Sequence, residues 1–203
     1  MQQSSLPKSE WSLATKRYQS GLSMRAVAEE LGISLDAVTY ILRKLNVPRR
    51  SAREANQLAF AVKPPSFSIK PASTIEEQLI EAIGATLYWG EGYKSAKASG
   101  IDFANSDVRM VQFFMKFLRT RYSLDEKRLR ILLYCYSDQD VDSLIAFWSK
   151  ILNIPKKQFT RPYVRADFRE NGRKMQHGLV HIRYGDKKML HDMLNLIESF
   201  SSK

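Results

Sequence analysis

The sequence has few of the residues on which several common chemistries depend. Its single cysteine, Cys135, excludes an internal disulfide and any zinc site built from several cysteines. None of its three histidines belongs to an HExxH motif of zinc hydrolases. The sequence also has no Walker phosphate loop, no dinucleotide-binding glycine fingerprint and no nucleophile elbow. These absences argue against nucleotide-driven, cysteine-based and serine-hydrolase chemistry.

Acidic residues and long apolar runs are also scarce. The chain has 21 Asp and Glu against 32 Lys and Arg, which leaves a formal net charge of +11. Such an excess indicates a polyanionic partner, most often nucleic acid. No stretch is long and apolar enough to span a bilayer, and a single cysteine is typical of a reducing compartment. We therefore expect a cytoplasmic, nucleoid-associated protein that binds double-stranded DNA and has no membrane partner.

The first 50 residues have the pattern of three short helices, of which the last two are joined by a glycine turn. Ser23 can cap a helix over Met24–Leu31, Gly32 ends it, and Ser34 can cap the next helix over residues 35–45. This run, GLSMRAVAEELGISLDAVTYILRKLNVPRRS, resembles the helix-turn-helix of resolvase-type recombinases and bacterial regulators. In such units the start of the second helix enters the major groove. The alternative is a three-helix module that binds another protein.

The helix-turn-helix resemblance implies two groups of DNA contacts. The candidates for reading bases are on or next to the second helix: Ser34, Asp36, Ala37, Thr39, Tyr40 and Arg43. The candidates for phosphate contact follow them: Lys44, Arg49, Arg50 and Arg53. Phosphate contacts position a protein on the duplex, whereas base contacts carry the sequence preference.

A composition change after residue 62 indicates a domain boundary. Residues 63–74, KPPSFSIKPAST, contain three prolines and three serines, so they cannot form a regular helix or a central strand. We predict a helix-turn-helix domain over residues 1–62, a linker over residues 63–74 and a second domain over residues 75–203.

The second domain begins with an apolar helix that ends in an acid. The stretch LIEAIGATLYWGEG, residues 79–92, places Glu91 at the C-terminal end of the helix, where the helix dipole disfavours a carboxylate. The small residues Gly84, Ala85 and Gly90 would let a second helix approach closely. The alternative is a helix with a purely structural role, which packs in the core and ends at a glycine cap.

GATLYWGEG resembles the LAGLIDADG motif of homing endonucleases, whose motif helices form a dimer or pseudo-dimer interface and end in a metal-binding acid. The resemblance implies a homodimer joined through residues 79–92, with Glu91 as the metal ligand. Trp89 departs from the acid that the motif usually has at its position. If activity is retained, Glu91 from each of two chains would hold Mg²⁺ for phosphodiester hydrolysis.

Two further residues enter this chemistry. Lys94 is a candidate catalytic residue beside Glu91, either polarising the attacking water or neutralising charge at the phosphate, and a plain phosphate contact is the alternative. Asp102 would be a further acid only if its strand directs it towards Glu91.

The rest of the chain alternates predicted strands and helices. Strands are predicted over residues 100–104, 129–136, 159–168 and 178–184, and Asn171-Gly172 predicts a turn that joins the last two as a hairpin. Helices are predicted over residues 108–122, 141–152 and 187–200. This order predicts an α+β fold with an antiparallel sheet and helices on one face, which is also the fold that the resemblance implies.

The strand face opposite the apolar positions has a basic and aromatic character. Such a face suits a sheet that reads the major groove. Its predicted DNA-binding residues are Arg130, Tyr134, Arg161, Tyr163, Arg165, His181 and Arg183.

The leading hypothesis is a sequence-specific DNA-binding protein of homing-endonuclease type, with Mg²⁺-dependent DNA cleavage as its chemistry. The main alternative is a non-catalytic transcription regulator in which a degenerate LAGLIDADG domain only binds DNA or dimerises. Retention of Glu91 favours the nuclease, whereas Trp89 and the lack of a convincing second acid favour the regulator. A third reading, a recombinase accessory factor, depends on the helix-turn-helix alone.

Overall fold

The computed structural model describes residues 6–166 and 175–201, and the chain divides into two compact units, Met1–Pro64 and Pro65–Lys203. No helix among the described residues has the length and apolar character needed to cross a membrane.

The first unit has four α-helices within residues 6–64: α1 (Trp11–Gln19), α2 (Met24–Leu31), α3 (Leu35–Lys44) and α4 (Ala52–Val62). The predicted caps form, since Ser23 Oγ accepts from the Ala26 N–H at 3.0 Å and Ser34 Oγ accepts from the Ala37 N–H at 3.1 Å. Gly32 ends α2 in the left-handed conformation, with φ of 63°. The buried core comes from α1 to α3: Ala14, Tyr18, Val27, Ala28, Ile33, Val38, Ile41 and Leu42.

The second unit is an α+β fold. Its described residues contain the helices α5 (Ile75–Glu91), α6 (Val108–Arg121), α7 (Val141–Leu152) and α8 (Lys187–Ser201). They also contain the strands β1 (Phe67–Ile69), β2 (Ile101–Asn105), β3 (Tyr122–Leu124), β4 (Leu129–Tyr136), β5 (Tyr163–Arg165) and β6 (Leu179–Tyr184). The main sheet has the order β2-β6-β4-β5, and β1 pairs with β3 in a separate small sheet.

One face of the main sheet is buried under the helices. Alternate residues of β4 and β6, such as Ile131, Leu133 and Ile182, are fully buried in one core with Phe114 and Phe117 of α6. The same core includes buried residues from α5, α7 and α8. The intervening strand residues lie on the opposite, open face, as the alternation predicts.

A partly buried ionic network joins three of these helices. Arg121 at the end of α6 donates to Glu81 of α5 at 2.8 Å and to Asp192 of α8 at 3.0 Å. The Tyr122 hydroxyl also donates to Asp192, at 2.7 Å. Burial and the Asp192 carboxylate raise the pKa of Tyr122, so that its phenol stays protonated and remains a donor.

The predicted terminal hairpin of the sheet is wrong. β6 pairs antiparallel with both β2 and β4, whereas β5 pairs parallel with β4, so the sheet is mixed. Burial explains the order, because the alternate residues of β6 are fully buried while all three residues of β5 are exposed, as suits an edge strand. The predicted turn at Asn171-Gly172 lies outside the described residues.

The predicted linker also needs correction. Phe67–Ile69 forms the strand β1, which pairs antiparallel with β3. The prolines lie outside this three-residue strand, so they remove none of its hydrogen bonds. Ser66 is held as well, because its N–H and its hydroxyl donate to Asp186 at 2.8 and 2.7 Å. This part of the segment therefore belongs to the second unit.

Candidate nucleic-acid interface

The exposed side of α3 has a basic and aromatic surface. The Tyr40 ring packs edge-on against Trp11 at 5.8 Å between centroids. Arg43 and Lys44 lie over the same ring, at 5.7 and 5.6 Å from its centroid. Asp36, Arg43, Lys44 and the later Arg49 are all exposed. These side chains are placed to meet a ligand.

Two of the predicted base-reading residues on this unit have local structural roles. Ser34 caps α3, and the Thr39 hydroxyl donates to the Leu35 carbonyl one turn earlier at 2.9 Å. Both side chains are only partly exposed. They fix the helix that carries Tyr40 and Arg43.

Arg50 does not have the predicted phosphate-contacting geometry. Its guanidinium donates to the carbonyls of Tyr18, Gly21 and Leu22, with the first two at 2.9 and 3.1 Å. It also lies 4.0 Å from the Tyr18 ring centroid, and its own N–H donates to the Tyr18 hydroxyl at 2.8 Å. Arg50 therefore ties the segment after α3 to the turn between α1 and α2.

The open face of the main sheet has rows of facing side chains. Asp102 of β2 is opposite Arg183 of β6, which is opposite Arg130 of β4. The Asp102 carboxylate lies 2.7 Å from His181 Nδ1 and accepts from Arg183 Nε at 2.8 Å. Asp102 thus orients two of the predicted DNA-binding residues, a role that the sequence analysis did not assign to it.

Aromatic side chains continue this face towards the β5 edge. The Tyr134 ring lies between those of His181 and Tyr163, at 5.0 and 4.9 Å between centroids. Arg165 is next to Tyr136 in the parallel pairing, and Arg161 is exposed just before β5. The predicted residues of this face therefore lie on one surface of the main sheet, from β2 to β5, which we call the open sheet face.

The end of α5 differs from the prediction at Lys94. The Lys94 ammonium donates to the carbonyls of Trp89 at 2.7 Å and Gly92 at 2.9 Å. A cation there neutralises the negative end of the helix dipole, which offsets the unfavourable position of Glu91. Lys94 thus caps the helix in this structure, and the catalytic role predicted for it stays a prediction.

Glu91 itself is exposed, and its carboxylate has no hydrogen bond or ion pair within residues 6–166 and 175–201. Asp102 does not join it, because the Asp102 carboxylate is held by His181 and Arg183. In the described part of the chain, no three His, Cys, Asp or Glu side chains are grouped as metal ligands. Mg²⁺ is usually held by one or two carboxylates together with waters and phosphates, so the magnesium site predicted between two chains stays a prediction.

The three small residues predicted to line a helix interface do not share one face of α5, since Gly90 is exposed while the other two are not. Gly84 and Ala85 are buried, and a Cβ on Gly84 would lie 2.0 Å from Phe117 Cγ of α6. The chain's own helix therefore occupies the side on which a partner was expected. The uncovered side is the α5 stripe, which consists of Ile75, Leu79, Ile83, Thr86 and Gly90.

The chain matches no protein-family model, and no curated protein or solved structure was found to match it.

Proposed function

We propose that this protein binds double-stranded DNA in a sequence-specific manner through two surfaces, the exposed side of α3 and the open sheet face. The observation that carries the proposal is the asymmetry of the main sheet. One face is buried under helices, while the other is open and presents Arg130, Arg165 and Arg183 around Tyr134 and His181. Arginine and aromatic side chains on strands are suited to base edges and phosphates in the major groove.

The two surfaces support different kinds of contact. On α3, Arg43 is exposed on a regular helix, and a guanidinium group can donate the two parallel hydrogen bonds that guanine accepts. Lys44 and Arg49 are exposed beside it and are suited to phosphates. The net charge of +11 is consistent with a polyanionic ligand for the chain as a whole.

Replacing Arg43 by alanine is the direct test of sequence reading. Binding to the preferred duplex is expected to weaken by about 1–3 kcal/mol, while binding to duplexes changed at one base pair is little affected. Fluorescence anisotropy on duplexes selected from a random pool measures both. The matched control is Lys150→Ala, which removes an exposed cation from α7 on the covered side of the sheet. Affinities that do not fall as salt is raised would contradict DNA binding itself, because phosphate contacts release counterions.

The homing-endonuclease type is part of the proposal. It is supported by the resemblance of residues 84–92, by an α+β unit whose helices cover one sheet face, and by the α5 stripe. Pairing of two α5 stripes would join two chains around a twofold axis. Glu91 follows Gly90 in the chain, but consecutive residues of an α-helix lie about 100° apart around its axis. The proposal therefore requires the two α5 helices to cross near their C-terminal ends, where both Glu91 carboxylates would lie.

DNA cleavage is the second candidate function, and it is favoured by the exposed Glu91 carboxylate at the C-terminal end of α5, which has no partner among the residues that the structure describes. We expect the full chain to nick its preferred duplex in the presence of MgCl₂, and Glu91→Gln to lower that activity by at least about a hundredfold while keeping DNA affinity. A gel-based nicking assay and anisotropy measure the two properties separately. Equal nicking by both proteins would show that Glu91 takes no part in cleavage. DNA binding without any Mg²⁺-dependent nicking would leave the non-catalytic regulator as the better account.

A further inference from the structure

A pocket of about 450 Å³ opens at one end of the main sheet, within the second unit. Its walls come from the loop after α5, the start of β2, the start of β4 and the end of β6. Gly100 makes one wall compact, because a Cβ there would lie 2.2 Å from the Tyr184 carbonyl oxygen. The volume is within the range of pockets that hold small organic ligands.

The charges around this pocket are not balanced. Three cations line it, namely Lys97, Arg130 and Arg183, against one carboxylate among the lining residues, Asp102. Arg130 and Arg183 are directly opposite each other on neighbouring strands, an arrangement that is destabilising for like charges. Because Asp102 is shared between Arg183 and His181, the pocket keeps an excess of positive charge that an anion would neutralise.

The cations also keep free donors. Arg130 uses Nη1 for the carbonyls of Lys127 and Leu129, and Arg183 uses Nε for Asp102. The other nitrogens of these guanidinium groups, and the Lys97 ammonium, have no hydrogen-bond partner in the part of the chain that the structure describes. Guanidinium groups with free donors are well suited to a phosphate, which accepts several charge-assisted hydrogen bonds.

An aromatic ring lies at the same pocket. Tyr93 lines it, and 54% of its surface is exposed. Its backbone is fixed on both sides, since its N–H donates to the Asp102 carbonyl at 2.8 Å and its carbonyl accepts from the Tyr88 hydroxyl at 3.0 Å. An exposed tyrosine ring on such a backbone, beside a cationic cluster, is a stacking surface for a nucleobase.

We propose that this pocket binds one nucleotide, with Lys97, Arg130 and Arg183 on its phosphate and the Tyr93 ring on its base. The same chemistry is presented by a free nucleoside monophosphate and by the 5′-phosphorylated end of a DNA strand. The pocket is complete within one chain, so the proposal does not depend on the pairing of α5 or on duplex binding by α3.

Isothermal titration calorimetry on the full chain at low salt tests the pocket with AMP, adenosine and inorganic phosphate. AMP is expected to bind at least about tenfold more tightly than adenosine and than phosphate, because only AMP meets both the cations and the ring. Lys97→Gln should weaken AMP binding about tenfold, while Lys150→Gln, the same change at an exposed site on α7, should leave it unchanged. Tyr93→Ala should weaken AMP binding at least about fivefold without affecting inorganic phosphate.

Competition with DNA distinguishes the two sources of the nucleotide. Displacement of AMP by a 5′-phosphorylated duplex, but not by the same duplex with 5′-hydroxyl ends, assigns the pocket to strand ends. Displacement by neither assigns it to a free nucleotide. The proposal is overturned if adenosine or inorganic phosphate binds as tightly as AMP, or if Lys97→Gln behaves like Lys150→Gln. Equal displacement by both duplexes also assigns the pocket to a free nucleotide, because a duplex on the open sheet face would cover Arg130 and Arg183 whatever its ends. A failure of duplex binding alone would overturn the proposed function and leave the AMP result intact.

Discussion

Replacing Gly84 by alanine is expected to lower the free energy of unfolding of the second unit by about 3 kcal/mol, the upper end of the range for an overpacked core. The added Cβ would lie 2.0 Å from Phe117 Cγ and 2.5 Å from its two Cδ atoms. The Phe117 ring cannot move away easily, because it is fully buried and contacts the rings of Phe114 and Tyr122 at 5.7 and 6.4 Å between centroids. The helices α5 and α6 would have to separate.

Gly90→Ala is the matched control for this prediction. It makes the same change in the same helix, but a Cβ at Gly90 meets nothing within 4 Å. Alanine is the better helix former, so this variant is expected to be up to about 1 kcal/mol more stable. Urea unfolding followed by circular dichroism measures both variants. Equal shifts of the two transitions would mean that helix propensity, and not contact with Phe117, governs these positions.

The same two glycines show where the sequence is informative and where it is not. Both are small residues in an apolar helix, and the pattern of residues 79–92 treats them alike. Only the packing of α6 shows that Gly84 faces the core while Gly90 is exposed. The helix itself was predictable, because Thr74 and Glu77 form a capping box at its start and Gly92 follows its end.

Strand positions were predictable for a similar reason, whereas strand neighbours were not. The alternation over Leu129–Tyr136 indicates both the strand and its two faces, and the structure has the same bounds. The alternation does not indicate that β6 lies between β2 and β4. The order of the strands in the chain instead favours pairing β6 with β5. The pairing of Asp102 with His181 and Arg183 follows from that order and was therefore missed.

Arg50 and Lys94 show the same difficulty for single basic residues. Arg49 and Arg50 are adjacent and identical in type, yet Arg49 is exposed while Arg50 binds backbone carbonyls of the first unit. Lys94 lies near Glu91 in sequence but caps the helix that precedes it. A basic side chain can bind either an external anion or carbonyl groups of its own chain. Which of the two it binds depends on where those carbonyl groups lie in the folded structure.

Replacing Ile83 by aspartate is expected to dissociate the homodimer that we propose to form through the α5 stripe. The stripe exposes large apolar side chains in an unbroken row, with 76%, 57% and 47% of Ile75, Leu79 and Ile83 accessible. A twofold interface uses the same patch on both chains, so each substitution counts twice. Two carboxylates buried without partners would raise the dissociation constant by at least about a thousandfold.

Sedimentation equilibrium at micromolar concentration measures this effect, and Leu58→Asp is the control. Leu58 is an exposed apolar residue on α4, so its replacement adds the same charge at a comparably accessible helix position outside the stripe. The native chain and Leu58→Asp should sediment as dimers, and Ile83→Asp as a monomer with an unchanged circular dichroism spectrum. If the native chain is a monomer, with and without DNA and Mg²⁺, two Glu91 carboxylates never come together. Cleavage at a site shared by two chains would then have no structural basis, because Glu91 is the one carboxylate at the C-terminal end of α5. The open sheet face would remain as a surface that binds DNA without cutting it.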